Sequence, residues 1–231
     1  MYDGKYETLL DIAWNKGFSE VVKELLKRLI NVEYQGIEVH KALCIAARGS
    51  DKDLVDALLQ NQARVDYLGD VVNDRDDCYG PALVDAARGG SIEIAETLLK
   101  AGASVNLQSS VNGCPLIAAI DYNQHEMVDF LLRNKANVNG FSMNNPLMRA
   151  IICQDLQQVK LLIAQGACLD IACCEWGAPL FATVLYSNKE AALYLLEKGA
   201  SIDFALETAK FYDLEDGQIV VVGFLEGADY S

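Results

Sequence analysis

A unit of about 33 residues recurs along this chain. The leucines that anchor it, Leu10, Leu43, Leu83, Leu116, Leu147 and Leu180, are separated by 33, 40, 33, 31 and 33 residues. A period of that length constrains the fold more than any local propensity does. Each unit is too small to bury its own apolar face and has to bury it against its neighbours.

The same residue types return around each anchor. Three residues on stands a small residue: Ala13, Ala46, Ala86, Ala119, Ala150 and then Thr183. Seven on stands a helix-ending type, Gly17, Ser50, Gly90, Asn123 and Ser187, with Gln154 as the exception. An apolar pair follows, as in Leu58-Leu59, Leu98-Leu99, Leu131-Leu132 and Leu195-Leu196. Gly-Ala or a relic of it comes next, and an apolar residue with Asn or Asp closes the unit, as in Val105-Asn106 and Val138-Asn139.

Each feature has a physical role. In Asn145-Pro146-Leu147 an Asn cap precedes a proline at the first helical position. Alanine three residues past the leucine lies on the same helical face and lets neighbouring helices approach closely. A small or glycine residue then ends the first helix at a tight turn. Ile94, Ala95, Leu98 and Leu99 form the apolar stripe of a second helix. The spacing predicts helices over 8–16, 20–30, 41–49, 53–61, 81–89 and 93–101 in the first half.

These residues resemble ankyrin repeats. The family's Thr-Pro-Leu-His start survives in fragments, as Thr8-Leu9-Leu10, Cys114-Pro115-Leu116, Asn145-Pro146-Leu147 and Ala178-Pro179-Leu180, and no unit keeps the histidine. The resemblance implies an all-α solenoid of stacked helix–turn–helix units joined by hairpin loops. The expected repeats lie at about 4–36, 37–76, 77–109, 110–140, 141–173 and 174–203, with a partial capping repeat over 204–231, in one domain spanning 1–231.

Two spacings depart from the period. The 40-residue interval inserts about seven residues near Tyr67–Tyr79, and the 31-residue interval shortens the loop near Gly140–Asn144. The insertion carries Asp70, Asp74, Asp76 and Asp77, but not the ordered ligands, central Gly and terminal Glu of an EF-hand. A solvated acidic loop is the expectation, with a weak cation site as the alternative.

The search for chemistry yields little. Cys168, Cys173 and Cys174 lie close together without a CxxC pair or a nearby histidine, so unligated thiols are expected rather than a zinc site or a disulfide. Cys153 stands one repeat after His125, but nothing supplies an oxyanion site or an orienting group for a cysteine hydrolase. Arg88-Gly89-Gly90 lacks the frame of a phosphate-binding loop. The expectation is no enzyme, no cofactor and no metal.

The formal charge is −14, from 33 acidic and 19 basic residues, which disfavours nucleic acid and anionic membrane as partners. It suits solubility and, more specifically, a partner with a basic face. The N-terminal residues carry no secretory signal pattern, and seven scattered cysteines fit a reducing compartment. A cytoplasmic location is the expectation, or a host cytosol reached through a signal not recognisable here.

The resemblance also implies where binding occurs, on a concave surface formed by loop tips and the exposed side of each first helix. The family's exposed positions fall five and six residues after each anchor, at Asn15-Lys16, Arg48-Gly49, Arg88-Gly89, Asp121-Tyr122, Ile152-Cys153 and Leu185-Tyr186. Loop contributors include Phe141, Met143 and Trp176. Arg48, Arg88, Tyr122, Phe141, Met143, Ile152, Trp176 and Tyr186 are therefore the candidate partner-binding residues, aromatics and methionine being common at interfaces. The leading function is a non-catalytic adaptor that captures a protein or peptide. The alternatives are a host-directed bacterial effector, a substrate-recruiting adaptor subunit, and a thiol- or metal-dependent sensor or enzyme built on Cys153, Cys168, Cys173 and Cys174.

Overall fold

Prolines are rare in the chain, and all four, Pro81, Pro115, Pro146 and Pro179, stand at the starts of first helices in the computed structural model. A proline there loses no helical hydrogen bond, and its fixed φ favours the first turn. The structure describes residues 37–66, 81–108, 113–140, 145–172 and 177–210, with a few positions between 9 and 28. The expected helices over 8–16 and 20–30, the insertion near 67–79 and the stretch 211–231 lie wholly or mostly outside them.

Contacts divide the chain into two units, Met1–Ser104 and Val105–Ser231. The first contains α1 (Ile37–Arg48), α2 (Lys52–Gln60), α3 (Ala82–Gly89) and α4 (Ile92–Lys100). Helix α1 packs on both α2 and α3, and α4 packs on α2 and α3. The second contains α5 (Pro115–Asp121), α6 (His125–Arg133), α7 (Pro146–Ile152), α8 (Leu156–Ala164), α9 (Pro179–Leu185), α10 (Lys189–Glu197) and α11 (Ile202–Lys210). Here α5, α7, α9 and α11 stack in order as first helices, and α6, α8 and α10 stack behind them. Regular structure among the described residues is all α, apart from single bridge positions at Gly113 and Gly177.

Helices α2, α3 and α4 follow the expected spans to within one residue at each end. Helix α1 begins four residues earlier than the spacing predicts. No proline precedes Leu43, so nothing stops the helix from extending upstream by a turn.

The anchors are the core. Leu43, Leu83, Leu116, Leu147 and Leu180 are at most 1% exposed, and Ala46, Ala86, Ala119, Ala150 and Thr183 are buried beside them. Leu58, Leu98, Leu131, Leu162 and Leu195 bury the inner face of the second helices.

The turns carry the one departure in residue type. Gln154 takes a left-handed φ of 55°, the conformation of Ser50, Gly90, Asn123 and Ser187 at the matching positions. Its N–H donates to the Ile151 carbonyl at 3.0 Å and that of Asp155 to the Ala150 carbonyl at 3.0 Å. These bonds and the Asp155 cap hold the turn against the cost of a left-handed side chain.

Candidate functional site

In the second unit, short first helices bring the ends of α5, α7 and α9 to corresponding positions of successive repeats. Asp121 ends α5 and Tyr122 follows it, Ile152 ends α7 and Cys153 follows it, and Leu185 ends α9 and Tyr186 follows it. Tyr122 is 56% exposed and Leu185 45% exposed, Cys153 is exposed, and Ile152 and Tyr186 are half-buried. The side-chain amide of Gln154 donates to the Tyr186 carbonyl at 3.2 Å, tying one turn to the next. The result is a row of exposed and half-buried side chains that includes Tyr122, Ile152, Leu185 and Tyr186. Phe141, Met143 and Trp176, expected from the sequence as loop contributors to the binding surface, lie outside the described residues.

A salt bridge underlies the row. Arg149 donates from Nε at 2.8 Å to Oδ1 of Asp121, and its Nη2 lies 2.6 Å from the same oxygen. It orients Asp121 beside Tyr122 and joins α7 to α5.

Arg48 and Arg88 belong to the first unit, and both reach Asp85. Arg48 donates from Nε at 3.0 Å and from Nη2 at 2.7 Å to Asp85 Oδ1, and Nη1 of Arg88 lies 3.5 Å from the same oxygen. Asp85 is fully buried on α3. Burial pushes its carboxyl above the ordinary range, and the Arg48 guanidinium offsets part of that rise. The two arginines thus serve a buried carboxylate, a role their positions in the repeat did not reveal. The signal was present, however, in an acidic residue within the apolar run of α3, two residues past its anchor leucine.

Nε2 of His125 faces Asp155 Oδ2 at 3.2 Å. Asp155 also caps α8, accepting the Gln157 and Gln158 N–H groups at 3.0 Å each. The Cys153 thiol is raised by partial burial and then by the Asp121 charge, which disfavours the thiolate a nucleophile or a zinc ligand requires. Cys44 and Cys114 are buried, Cys168 is exposed, and Cys78, Cys173 and Cys174 lie outside the described residues. Among the described residues no group of three or more His, Cys, Asp or Glu could hold a metal ion. His40 accepts the Arg64 N–H on Nδ1 at 2.9 Å, and desolvation, then the Arg64 charge, holds its pKa below the usual value.

Helix pairs stacked through leucine anchors, with exposed apolar side chains at the first-helix ends, define a helical-repeat protein of the interaction type. The chain belongs to the ankyrin-repeat family, whose model of three repeat copies matches residues 9–109, 43–142, 83–173 and 116–205. Ankyrin repeats are generally protein–protein interaction modules. The chain is 28% identical over 177 residues to an ankyrin repeat protein of fowlpox virus (strain NVSL), covering 72% of this chain and 50% of that protein. It is 30% identical over 154 residues to human neurogenic locus notch homolog protein 2, covering 65% of this chain and 6% of that protein. The chain thus spans half or less of these relatives. The ankyrin repeat domain of human ASB11 shares the fold, with a TM-score of 0.61 and 22% identity over 82% of this chain and 84% of that one. No helix among the described residues is long and apolar enough to cross a membrane.

Proposed function

We propose that this chain is a non-catalytic adaptor module that captures a protein or peptide on the first-helix ends of its second unit. Tyr122, Ile152 and Tyr186 are the proposed contact residues among those described, joined by the loop candidates Phe141, Met143 and Trp176 of the sequence register. The observation that carries this reading is the exposure of Tyr122 and Leu185 on a framework whose anchor leucines are buried. A large apolar side chain held in water by a rigid scaffold is what an interface anchor needs. The acidic surface favours a partner with a basic face and works against nucleic acid. The cysteines among the described residues form no disulfide, which suits a reducing compartment.

The test begins with peptide-library capture on the full chain and measures binding kinetics for each captured peptide. Tyr122→Ala and Tyr186→Ala should each weaken binding by about thirtyfold, mainly through faster dissociation. The loop variant Asp74→Asn, Asp76→Asn, Asp77→Asn should instead slow association at low salt. Unchanged affinity in both tyrosine variants, with the fold intact, would move the site away from this row.

A further inference from the structure

Two ion pairs of opposite polarity occupy the same step of the repeat. Arg48 lies five residues past its anchor and Asp85 two past the next, joining α1 to α3 in the first unit. Asp121 lies five past its anchor and Arg149 two past the next, joining α5 to α7 in the second. Both are made on one carboxylate oxygen by Nε and Nη2 of the arginine. The following step of the second unit has Ile152 and Ala182 in those positions, so the charges are not part of the repeat itself.

A chain of similar units has a registry problem. The first helices α1, α3, α5, α7 and α9 present a leucine and a small residue at matching positions, so apolar contact discriminates poorly between a correct neighbour and a wrong one. Repeat proteins nucleate at many points and misassemble in this way. Here the charges discriminate. Placing α7 after α1 in the stack would set Arg149 against Arg48, and placing α3 after α5 would set Asp85, fully buried in the native stack, against Asp121. Like charges set against one another are unfavourable, most of all for Asp85, which is shielded from water.

We propose that Arg48–Asp85 and Asp121–Arg149 are register keys that fix which first helix stacks on which. Their opposite polarity makes each pair complementary only to itself. The pairs act during folding more than they add to final stability, as polar residues that set register in coiled coils do.

The test is to give both steps the same polarity in the full chain. Asp121→Arg together with Arg149→Asp keeps an ion pair between α5 and α7 but makes it read as Arg48–Asp85 does. The single changes Asp121→Arg and Arg149→Asp should each lower the folding constant at least about tenfold, and the double change should restore it to within about threefold of the original. Refolding from urea should nevertheless give a lower native yield and an added slow phase, followed by size exclusion and hydrogen exchange. A second variant, Asp121→Asn with Arg149→Gln, removes the charges without reversing them and should also lower the yield. Refolding of both double variants with the original phases and yield would overturn the proposal. So would a charge-reversed pair no more stable than its single variants, since the polarity would then not be exchangeable.

Discussion

The side chain of Asn139 reaches one repeat ahead to accept the Cys168 backbone N–H on Oδ1 at 2.7 Å. The same reach recurs from Asp66 to the Ser104 N–H at 3.0 and 3.2 Å, from Asn106 to that of Asn137 at 2.7 Å, and from Asp170 to that of Ser201 at 2.9 Å. Each acceptor stands 23 residues past its anchor, and each donor 21 past the next. The Asn or Asp that closes a unit is therefore also its clasp on the following one.

Asn139→Ala should lower stability by about 1 kcal/mol, because the Cys168 N–H exchanges a protein acceptor for water. Asn139→Asp should lose less, since aspartate makes the same bond at positions 66 and 170. Urea unfolding of both variants decides it. Equal losses would mean that the acceptor is not what holds this step.

Leu98, Leu131 and Leu195 have no exposed surface and fill the space between second helices and their neighbours. Truncation of any one to Ala should cost about 2–5 kcal/mol. Because repeat arrays are sums of neighbour terms, faster hydrogen exchange should appear first in the helices beside the cavity. Losses below about half a kcal/mol at all three would contradict this packing.

Gly177 and Gly166 both have positive φ, 63° and 90°, but their surroundings differ. A Cβ at Gly177 would lie 2.9 Å from Phe181 Cδ1 and 3.2 Å from Thr208 Oγ1, whereas at Gly166 it would meet nothing within 4 Å. That Thr208 oxygen also accepts the Ala178 N–H at 3.1 Å, linking α11 to the start of α9. Gly166→Ala should cost about 1 kcal/mol for backbone strain alone, and Gly177→Ala distinctly more. Thermal unfolding of the two variants compares them directly, and equal shifts would show that the Phe181 contact gives way freely.

Burial raises the thiols of Cys44 and Cys114, strongly in the first case, and so keeps both protonated. Maleimide applied to the native chain should label Cys153 and Cys168, which are exposed, and spare Cys44 and Cys114 until urea unfolds the helices around them. Mass mapping of labelled peptides reads this out. Labelling of Cys44 at the rate of Cys168 in native buffer would contradict the burial of α1.

The sequence alone determined the period, the helix pairs and the core. Burial of an apolar stripe follows from where leucine and alanine recur, and a repeat states that pattern several times over. The anchors, the small residues beside them and the spans of α2, α3 and α4 were legible for that reason. The row at the first-helix ends was legible as a register, and the structure exposes Tyr122 while leaving Ile152 and Tyr186 half-buried. Other features were decided only by the tertiary structure. The early start of α1 reflects a missing stop signal, and the left-handed turn at Gln154 is imposed by hydrogen bonds that residue type does not reveal. Arg48 looked like a surface cation until α3 brought the buried Asp85 to it from 37 residues away, and Arg149 meets Asp121 across 28. A charge's role depends on what the fold packs against it, and that neighbour lies beyond the reach of local periodicity.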